Sequence, residues 1–585
     1  MLLLPVLGSF PPAVSSGPII PYHVTITGIT DHELRTFLEE ISRTITLRES
    51  PPASIPLLER RTEQDIPRIL SGLRSRGYYA ARVDYDLNTD SRPVNVTLEI
   101  HPGPIFILGS VDIRMEGEAG SLRDKLLVNE KIASLRGSPV NSKNIIETQD
   151  FIRVWLRSRG FPFASLDKPR VVVDHARQDA SLTYVIKPGP KAFFGGTHIK
   201  GLESVDESFV RKRIPWKEGE LFNGDLLAKV RNSLSDTGLF VTMEVKEGGS
   251  IEEGGNLPVF INLRERDHRT VRAGVSYRTD EGPGGKVSWE HRNMFGGGEN
   301  FLVSGILSDI TYSAEAVFHK PEFMRDDQAL KLNMRLAEDR PDAFISRSLT
   351  SSFRVERSLT EQNSLGAGIG FRRSEIKQFG RKDRFNLFSL PLSFDRDTKN
   401  DLLDPSAGGH LNIQVTPYHD IFDADLTFMK VQAVYSRYFR VSSHPSLVLA
   451  AKAGAGATQG ASLYEVPADI RFYAGGGGSV RGYAFQSAGT LIDGVPTGGR
   501  SLFSLSTELR ARLSDTIGLV LFVDGGRAFH SALPDFSGDL LWGAGAGIRY
   551  FTPIGPLRLD VGLPLNPREG IDDSFQVYVS LGQAF

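Results

Sequence analysis

Two patterns of apolar and polar positions divide this chain into two parts. In the first part, apolar residues recur three and four positions apart, which predicts amphipathic helices between short strands. Two such sets are Ile66, Ile69, Leu70 and Leu73, and Ile146, Phe151, Ile152 and Leu156. From about residue 268 onwards, runs of about ten residues alternate with period two and are separated by Gly, Pro, Asn and Asp turns. The chain therefore predicts an α+β region followed by an all-β region.

The first part contains three similar units, a sign of repeated domains. Each helical pattern ends at a pivot glycine, where a left-handed cap fits; these are Gly77, Gly160 and Gly238, in LRSRGYY, LRSRGFP and LSDTGLF. Each unit reads as one strand, two helices and two strands (β-α-α-β-β). We place the units at 22–104, 105–190 and 191–267. They could be plain spacers, but exposed sheet edges are docking sites for extended peptides.

The second part, 268–585, predicts a sixteen-stranded antiparallel transmembrane barrel, because it divides into about 16 units of strand plus turn and such barrels have even strand numbers. In GPLRLDVGL, for example, Leu557, Leu559 and Val561 oppose Arg558 and Asp560. A soluble sandwich also alternates, so the number of strands carries the argument. The strands are predicted to start near residues 269, 285, 299, 312, 328, 347, 363, 384, 409, 426, 445, 500, 516, 541, 555 and 573.

The last strand has an apolar face that predicts a lipid-facing surface and a C-terminal signal. The residues predicted to share this face are Phe575, Val577, Val579, Leu581 and Phe585. Closing the barrel requires this strand to pair with the first strand, 268–279. A short or poorly bonded seam between them would be able to open sideways.

A stretch of about 40 residues, from about 456 to 499, shows little strand pattern, and loops of this length are usually functional or disordered. It contains four glycines, 475–478, followed closely by Arg481. Glu508 and Asp524 lie in the next two strands, on the side that we assign to the lumen. We expect Arg481 to bond to both carboxylates. On spacing alone, an external glycine-rich loop with a solvated arginine is an equal alternative.

Composition narrows the function. The 68 basic and 70 acidic residues nearly balance, which gives no sign of a nucleic-acid partner, and the chain has no cysteine. Residues 1–21 predict a signal-peptide remnant or a disordered segment, although a basic start is missing. The glycine runs lack the strand and helix of a phosphate site, and the histidines lack metal-ligand spacing. We expect no catalytic residue, no metal and no cofactor, and hence no enzyme.

Two motifs carry a family resemblance. The segment 480–483 resembles the VRG(F/Y) loop motif, and Phe522-Val523-Asp524-Gly525-Gly526 resembles the F-x-D-x-G strand motif, of the outer-membrane assembly factors that combine POTRA domains with a barrel. NMFGGGENF (293–301) and the segment 395–410 match further landmarks of that superfamily, to which we assign no chemistry. The three repeats resemble POTRA domains, and three of them before a barrel resemble the TamA branch, beside BamA and the two-partner secretion transporters. The resemblance implies a loop-to-wall lock formed by Val480, Arg481, Gly482, Tyr483, Glu508 and Asp524.

The resemblance also implies a function without covalent chemistry. It predicts a protein of the Gram-negative outer membrane, with POTRA domains in the periplasm, that inserts or translocates autotransporters and other outer-membrane proteins. The partners implied are these unfolded clients, a TamB-like inner-membrane-anchored protein and outer-membrane lipid. A two-partner-type pore that exports one dedicated substrate is the alternative. A passive porin is disfavoured because it has no use for periplasmic repeats.

Overall fold

The computed structural model describes residues 19–115, 120–127, 129–278, 282–421, 426–443, 445–536, 538–552, 555–581 and 583–585. Most of the predicted N-terminal segment 1–21 lies outside the described residues. Within the described ranges, no helix has the length and apolar character needed to cross a lipid bilayer. The chain divides into two compact units, one with most of the repeats and one with the barrel and the segments 201–213 and 234–242.

The α+β region follows the predicted order of strands and helices, with an additional four-residue helix in each of the first two repeats and an additional two-residue strand in the second. Its elements are β1 Tyr22–Thr27, α1 His32–Ile41, α2 Arg43–Thr46, α3 Ile55–Ser75, β2 Arg82–Asn88, β3 Val94–His101, β4 Ile107–Met115, α4 Gly120–Leu127, α5 Glu130–Ala133, α6 Ser142–Arg157, β5 Ser165–Leu166, β6 Arg170–Asp174, β7 Asp179–Lys187, β8 Phe193–Lys200, α7 Glu207–Arg211, α8 Gly224–Asp236, β9 Phe240–Glu247, a 3-10 turn Glu253–Gly255 and β10 Asn256–Glu265.

Three separate small sheets carry the repeats. In each one the first strand runs parallel to the last, as β1 with β3, β4 with β7 and β8 with β10. Antiparallel strands complete the sheets, with β2 on β3 and with β5 and β6 on β7. The last strands alternate buried and exposed side chains, so that Leu98 and Ile100 of β3 bury against Ile69 and Leu73 of α3. The helices therefore cover one face of each sheet and leave edge strands open.

The pivot glycines connect one repeat to the next. Gly77, Gly160 and Gly238 have φ values of +93°, +93° and +67°, in the left-handed region that glycine tolerates. The carbonyl of Gly77 accepts the N–H of Phe106 (2.9 Å), and that of Gly160 accepts the N–H of Ala192 (2.8 Å). Each of these two glycines thus ends a helix and fixes the chain just before the following repeat's first strand.

The all-β region forms one antiparallel sheet that runs in sequence order from β11 to β29. Its strands are β11 Arg269–Arg278, β12 Gly282–His291, β13 Asn300–Ser308, β14 Thr311–Lys320, β15 Gln328–Asp339, β16 Ile345–Ser358, β17 Asn363–Gln378, β18 Arg381–Ser389, β19 Leu392–Asp397, β20 Gly408–Asp420, β21 Thr427–Ser443 and β22 Ser446–Gln459, then, after a loop with the short hairpin β23 Leu491–Ile492 and β24 Val495–Pro496, β25 Ser501–Arg512, β26 Ile517–Phe529, β27 Leu541–Thr552, β28 Gly555–Pro564 and β29 Gln576–Leu581.

Within the described residues the sheet contains sixteen barrel strands, because β18 and β19 are two halves of one strand. Both halves pair with β17 and β20, and the register does not change between them. The interruption falls at Pro391, which has no N–H to donate to the ladder. Every strand begins within three residues of its predicted start. The predicted fold class, α+β repeats followed by a sixteen-stranded barrel, is confirmed.

Burial separates the two surfaces of the wall. In β28, Leu557, Leu559 and Val561 are 41–48 % exposed, whereas Arg558 and Asp560 between them are buried. Apolar side chains that are exposed and charged side chains that are buried indicate a lipid-facing exterior and a polar interior.

One residue of the predicted C-terminal face lies elsewhere. Phe575 and Val579 are exposed on the outside and Val577 is half-buried, while the Leu581 side chain lies outside the described residues. The prediction for Phe585 is wrong. Because β29 ends at Leu581, the alternation stops there, and the Phe585 ring turns inward to an interior cluster with Tyr438, Val448 and Ala450. The Arg510 guanidinium lies over this ring and donates to the Phe585 carbonyl at 3.0 Å.

Candidate functional site

The loop between β22 and β25, residues 460–500, folds into the barrel. Gly475, Gly476 and Gly482 have φ values of +106°, +93° and +101°, so only glycine adopts these turns without strain. A Cβ at Gly482 would also come within 2.8 Å of the Leu563 backbone in β28. These glycines let the loop reverse direction and bring its tip into close contact with the wall.

Arg481 at the loop tip lies between the two carboxylates predicted for it. Its Nε and Nη2 donate to the two Asp524 oxygens at 2.6 and 2.9 Å, and its Nη1 donates to Glu508 at 2.6 Å. Its backbone N–H also donates to Asp524 at 3.1 Å. The structure thus brings Arg481, Glu508 and Asp524 together, and leaves Arg481 only 1 % exposed.

A third carboxylate completes the arginine site, and sequence reasoning did not assign it. Asp560 of β28 accepts from Arg481 Nη1 at 3.0 Å, and Ser506 Oγ donates to Asp524 at 2.5 Å. Three more buried arginines surround the acids: Arg510 on Glu508, and Arg549 and Arg558 on Asp560. The alternation in β28 already put Arg558 and Asp560 on the lumen side. Nothing in that pattern showed that β28 faces the same loop as β25 and β26.

The electrostatics of this site favour a permanent cation. The Arg481 guanidinium contacts three carboxylates, those of Asp524, Glu508 and Asp560, and an arginine side chain stays protonated in proteins. The Phe522 ring lies 3.5 Å below the guanidinium carbon, which adds a cation–π contact. A guanidinium that stays protonated does not transfer protons. The arrangement can therefore hold two parts of the chain together, and it does not resemble an acid–base site.

The motif's other residues fix the loop tip. Val480 and Tyr483 are fully buried in a small apolar cluster with Ala474, Ala488 and Leu541. The Tyr483 hydroxyl donates to Asn566 Oδ1 at 2.9 Å. These contacts attach the tip to the ends of the strands as well as to their middle.

The loop tip also contacts the last strand of the barrel. The Gly482 N–H donates to the Tyr578 hydroxyl at 3.0 Å, and that hydroxyl donates to the Tyr483 carbonyl at 3.0 Å. Tyr578 lies in β29 and is only 3 % exposed. The loop-to-wall lock, as defined above, therefore reaches the strand that borders the seam.

The landmark NMFGGGENF forms a joint at the end of the barrel where β12 turns into β13. Asn293 Nδ2 donates to the Ser204 carbonyl at 2.9 Å, and the Asp206 N–H donates to the Gly296 carbonyl at 2.9 Å. Glu265 accepts the N–H groups of the same segment, 203–205, at 2.8–3.0 Å. These contacts give that motif a structural role, which sequence reasoning did not assign.

The fold and the arginine site together define a class of protein: a transmembrane barrel, preceded by α+β repeats, whose inward-folded loop is bonded to its own wall. Residues 293–585, half of the chain, match the model of the Omp85 superfamily domain. The chain belongs to the Omp85 superfamily. The predicted superfamily and the outer-membrane location are thereby confirmed.

Individual relatives agree with this assignment. The chain is 23% identical over 545 residues to the outer membrane protein assembly factor BamA of Nitratidesulfovibrio vulgaris, covering 89% of this chain and 68% of that one. It is 20% identical over 595 residues to BamA of Neisseria meningitidis serogroup B, covering 90% and 73%. Among solved structures, BamA from Haemophilus ducreyi lacking POTRA domains 1–3 has the same fold, with a TM-score of 0.71, 18% identity, and coverage of 81% of this chain and 100% of that one.

Proposed function

We propose that this protein inserts or translocates other outer-membrane proteins, by a mechanism that uses strand pairing and no covalent chemistry. The observation that carries the proposal is the contact of the loop tip with β29. Arg481 bonds to three strands of the wall, and the adjoining Gly482 and Tyr483 bond to Tyr578 of the last strand. The lock therefore sets the position of the strand next to the seam.

The seam is the place where a client strand would be added. β29 has only six residues, whereas a strand that crosses a membrane needs about 9–11. In the part of the chain that the structure describes, the sheet's pairings run from β11 to β29 and none joins these two strands. Unpaired N–H and C=O groups are costly in lipid, so an incoming strand that pairs with either edge gains stability.

The repeats supply the docking surface in this proposal. We propose that 22–104, 105–190 and 191–267 are three periplasmic POTRA domains and that 268–585 is the barrel. Edge strands such as β1 and β2 present backbone groups to an extended client segment. The finer assignment, a TamA-like factor that handles autotransporters together with a TamB-like inner-membrane-anchored partner, is supported by the three repeats before the barrel.

A secretion pore is the alternative, and the two functions use different routes. A pore would conduct a client through the lumen, where the loop tip and four buried arginines lie. The buried loop favours the lateral route, because a client in the lumen would have to displace every bond of Arg481.

Cross-linking the seam separates the two routes. The chain has no native cysteine, so single cysteines can be introduced along β11 and β29, and the pair that oxidises most readily can be used. We expect this disulfide to stop the insertion of an unfolded eight-stranded outer-membrane protein into liposomes, measured by its heat-modifiable gel mobility. Reduction should restore insertion. As control, Leu332→Cys with Phe353→Cys links two outward-facing residues that are already paired in β15 and β16, and it should change nothing. Normal insertion with the seam cross-linked would refute the lateral route.

The branch assignment has its own test. A deletion strain that loses autotransporters selectively from its outer membrane supports the TamA-like assignment. A strain that loses most of its outer-membrane proteins points to a general assembly factor instead.

A further inference from the structure

The loop has a second attachment inside the barrel, which shares no residue with the loop-to-wall lock. Asp469, only 3 % exposed at its side chain, forms an ion pair with Arg372 of β17. The same carboxylate accepts the Ser346 hydroxyl of β16 at 2.7 Å. Ser346 is fully buried and the Arg372 side chain is 19 % exposed. We name this set of three residues the Asp469 anchor.

Polar contacts to the loop backbone reinforce the Asp469 anchor. Lys430 of β21 donates to the Ile470 carbonyl at 2.5 Å. Arg471 donates from Nη1 to Gln378 of β17 at 2.9 Å and from Nε to the Val466 carbonyl at 2.8 Å. Two cationic side chains thus bind carbonyl or amide oxygens on either side of Asp469, so this part of the loop is fixed in its backbone as well as its side chain.

Apolar packing supplies the rest of the attachment. Loop and wall side chains form a buried cluster here, made up of Leu387, Phe428, Ala461, Val466 and Ile470. The first half of the loop is therefore packed against β18 and β21. A loop that lay loosely in the lumen would not bury the side chains of this cluster.

The two attachments lie on different parts of the barrel wall. The Asp469 anchor and its reinforcing contacts use the sixth, seventh and tenth barrel strands, β16, β17 and β21. The carboxylates that hold Arg481 lie on the twelfth, thirteenth and fifteenth strands, β25, β26 and β28. In a ring of sixteen, the sixth and seventh strands, which hold Asp469, are five to eight positions from the three carboxylate strands, whereas β21 is only two positions from β25. The segment 469–481 consequently runs inside the lumen from the sixth and seventh strands to the twelfth, thirteenth and fifteenth.

We propose that this segment is a cross-brace, fixed by the Asp469 anchor at one end and by Arg481 at the other, that holds the lumen closed. Because the Arg481 end also bonds to Tyr578 of β29, the brace connects the last strand to the sixth and seventh strands. Only this final connection rests on the proposed lateral function. The closure of the lumen by a doubly fixed segment is independent of what the protein assembles.

Exchanging the charges of the buried pair tests the brace. The readout is the frequency of channel openings by the purified full-length protein in planar lipid bilayers, without any client. We expect Arg372→Asp and Asp469→Arg each to raise the frequency of openings about tenfold. The coupling free energy between two contacting charged residues is about 1.4 kcal/mol, which corresponds to a factor of ten in an equilibrium. The double exchange should return it to the wild-type value. Asp469→Asn, which keeps the shape of the side chain, provides a milder variant in case a charge reversal prevents folding.

Two controls make the result specific. Exchanging Arg384 and Glu375, an ion pair of β18 and β17 in which Arg384 is exposed and Glu375 partly exposed, should leave the frequency of openings unchanged. Protease resistance of residues 475–483 should stay the same in the Asp469 variants, because the Arg481 end keeps its own bonds. A wild-type frequency of openings in Asp469→Asn and in both single exchanges would overturn the brace, and so would a double exchange that opens as often as the single exchanges. Since no client is present, these outcomes do not depend on the insertion assay.

Discussion

Arg481 bonds to acidic side chains from three different strands, and only a planar guanidinium offers donors in so many fixed directions. A lysine ammonium is a single point charge, and it cannot reach Glu508, Asp524 and Asp560 together from this backbone position.

The first prediction concerns this residue. Arg481→Lys should destabilise the folded barrel by about 3–5 kcal/mol, the cost of leaving buried charges without their partner. The midpoint of urea unfolding in detergent micelles measures this cost. Arg384→Lys, whose guanidinium lies on the surface with 68 % of its side chain exposed, is the control and should shift the midpoint little. Equal shifts in the two variants would mean that the Arg481 contacts contribute nothing particular.

The hydroxyl of Tyr578 gives the second prediction. Tyr578→Phe leaves the Gly482 N–H and the Tyr483 carbonyl without this partner, at a cost of about 1–3 kcal/mol for buried polar groups. Faster amide hydrogen exchange in β29 is the expected result. Tyr550→Phe removes a hydroxyl from an exposed position of the wall and should not change exchange in β29. If β29 exchanges at the same rate in both variants, the loop tip does not restrain the last strand.

Residue identity in the site was partly predictable. The VRGY segment and the period-two pattern placed Arg481, Glu508 and Asp524 in one lumen. The attachments of the loop through Asp560, Tyr578 and Asp469 were not predictable. Alternation indicates whether a side chain faces the lumen or the lipid, but it does not indicate which strands the loop contacts. The glycine turns at 475, 476 and 482 determine which strands the loop contacts, because they set its path.

At the scale of elements, the hydrogen bonds between segment 203–205 and Glu265 lead to a third prediction. Burial alone raises the pKa of Glu265, but the N–H groups of Glu203 and Val205, the Ser204 hydroxyl and His268 lower it from 4.5 to about 2. A carboxyl group with a lowered folded-state pKa stabilises the protein above its unfolded pKa, and this contribution is lost as the pH falls through the folded value.

Amide exchange of residues 203–205 measures that contribution. Corrected for intrinsic rates, protection should be constant above pH 4.5 and should decline between about pH 4.5 and pH 2. Glu265→Gln should lower protection at pH 7 and remove this pH dependence. Glu218→Gln, at an exposed position, is the matched control. A wild-type protein whose protection at 203–205 falls only in parallel with the whole chain would contradict the assignment to Glu265.

Strand positions were predictable from the sequence because period-two alternation between turn residues, weak in any one segment, recurs along the whole of 268–585. Two features of the elements were not. Pro391 interrupts a strand in the middle, although alternation continues through it. Phe585 lies beyond the end of β29, so strand alternation does not set the direction of its ring. A cation–π contact with Arg510 sets it instead.

On the scale of the whole molecule, the two compact units predict two unfolding transitions in calorimetry, since separate cores unfold separately. Leu98→Ala empties a fully buried position in β3 and should lower only one transition, by about 2–5 kcal/mol in free energy. Arg481→Lys should lower only the other. A single transition that both variants shift equally would show that the units unfold together.

The proline in the eighth barrel strand has a consequence for how such a cylinder deforms. A second proline, Pro417 of β20, lies next to Pro391. Its carbonyl accepts the N–H of Leu390, the residue before Pro391, at 3.1 Å. Each proline removes one donor from the ladder. Strands eight and nine lie half of the circumference away from the seam between strands sixteen and one. A barrel that opens at the seam therefore bends at strands eight and nine. The missing donors make the ladder weakest on this side of the wall, where the proposed opening of the seam would bend it most.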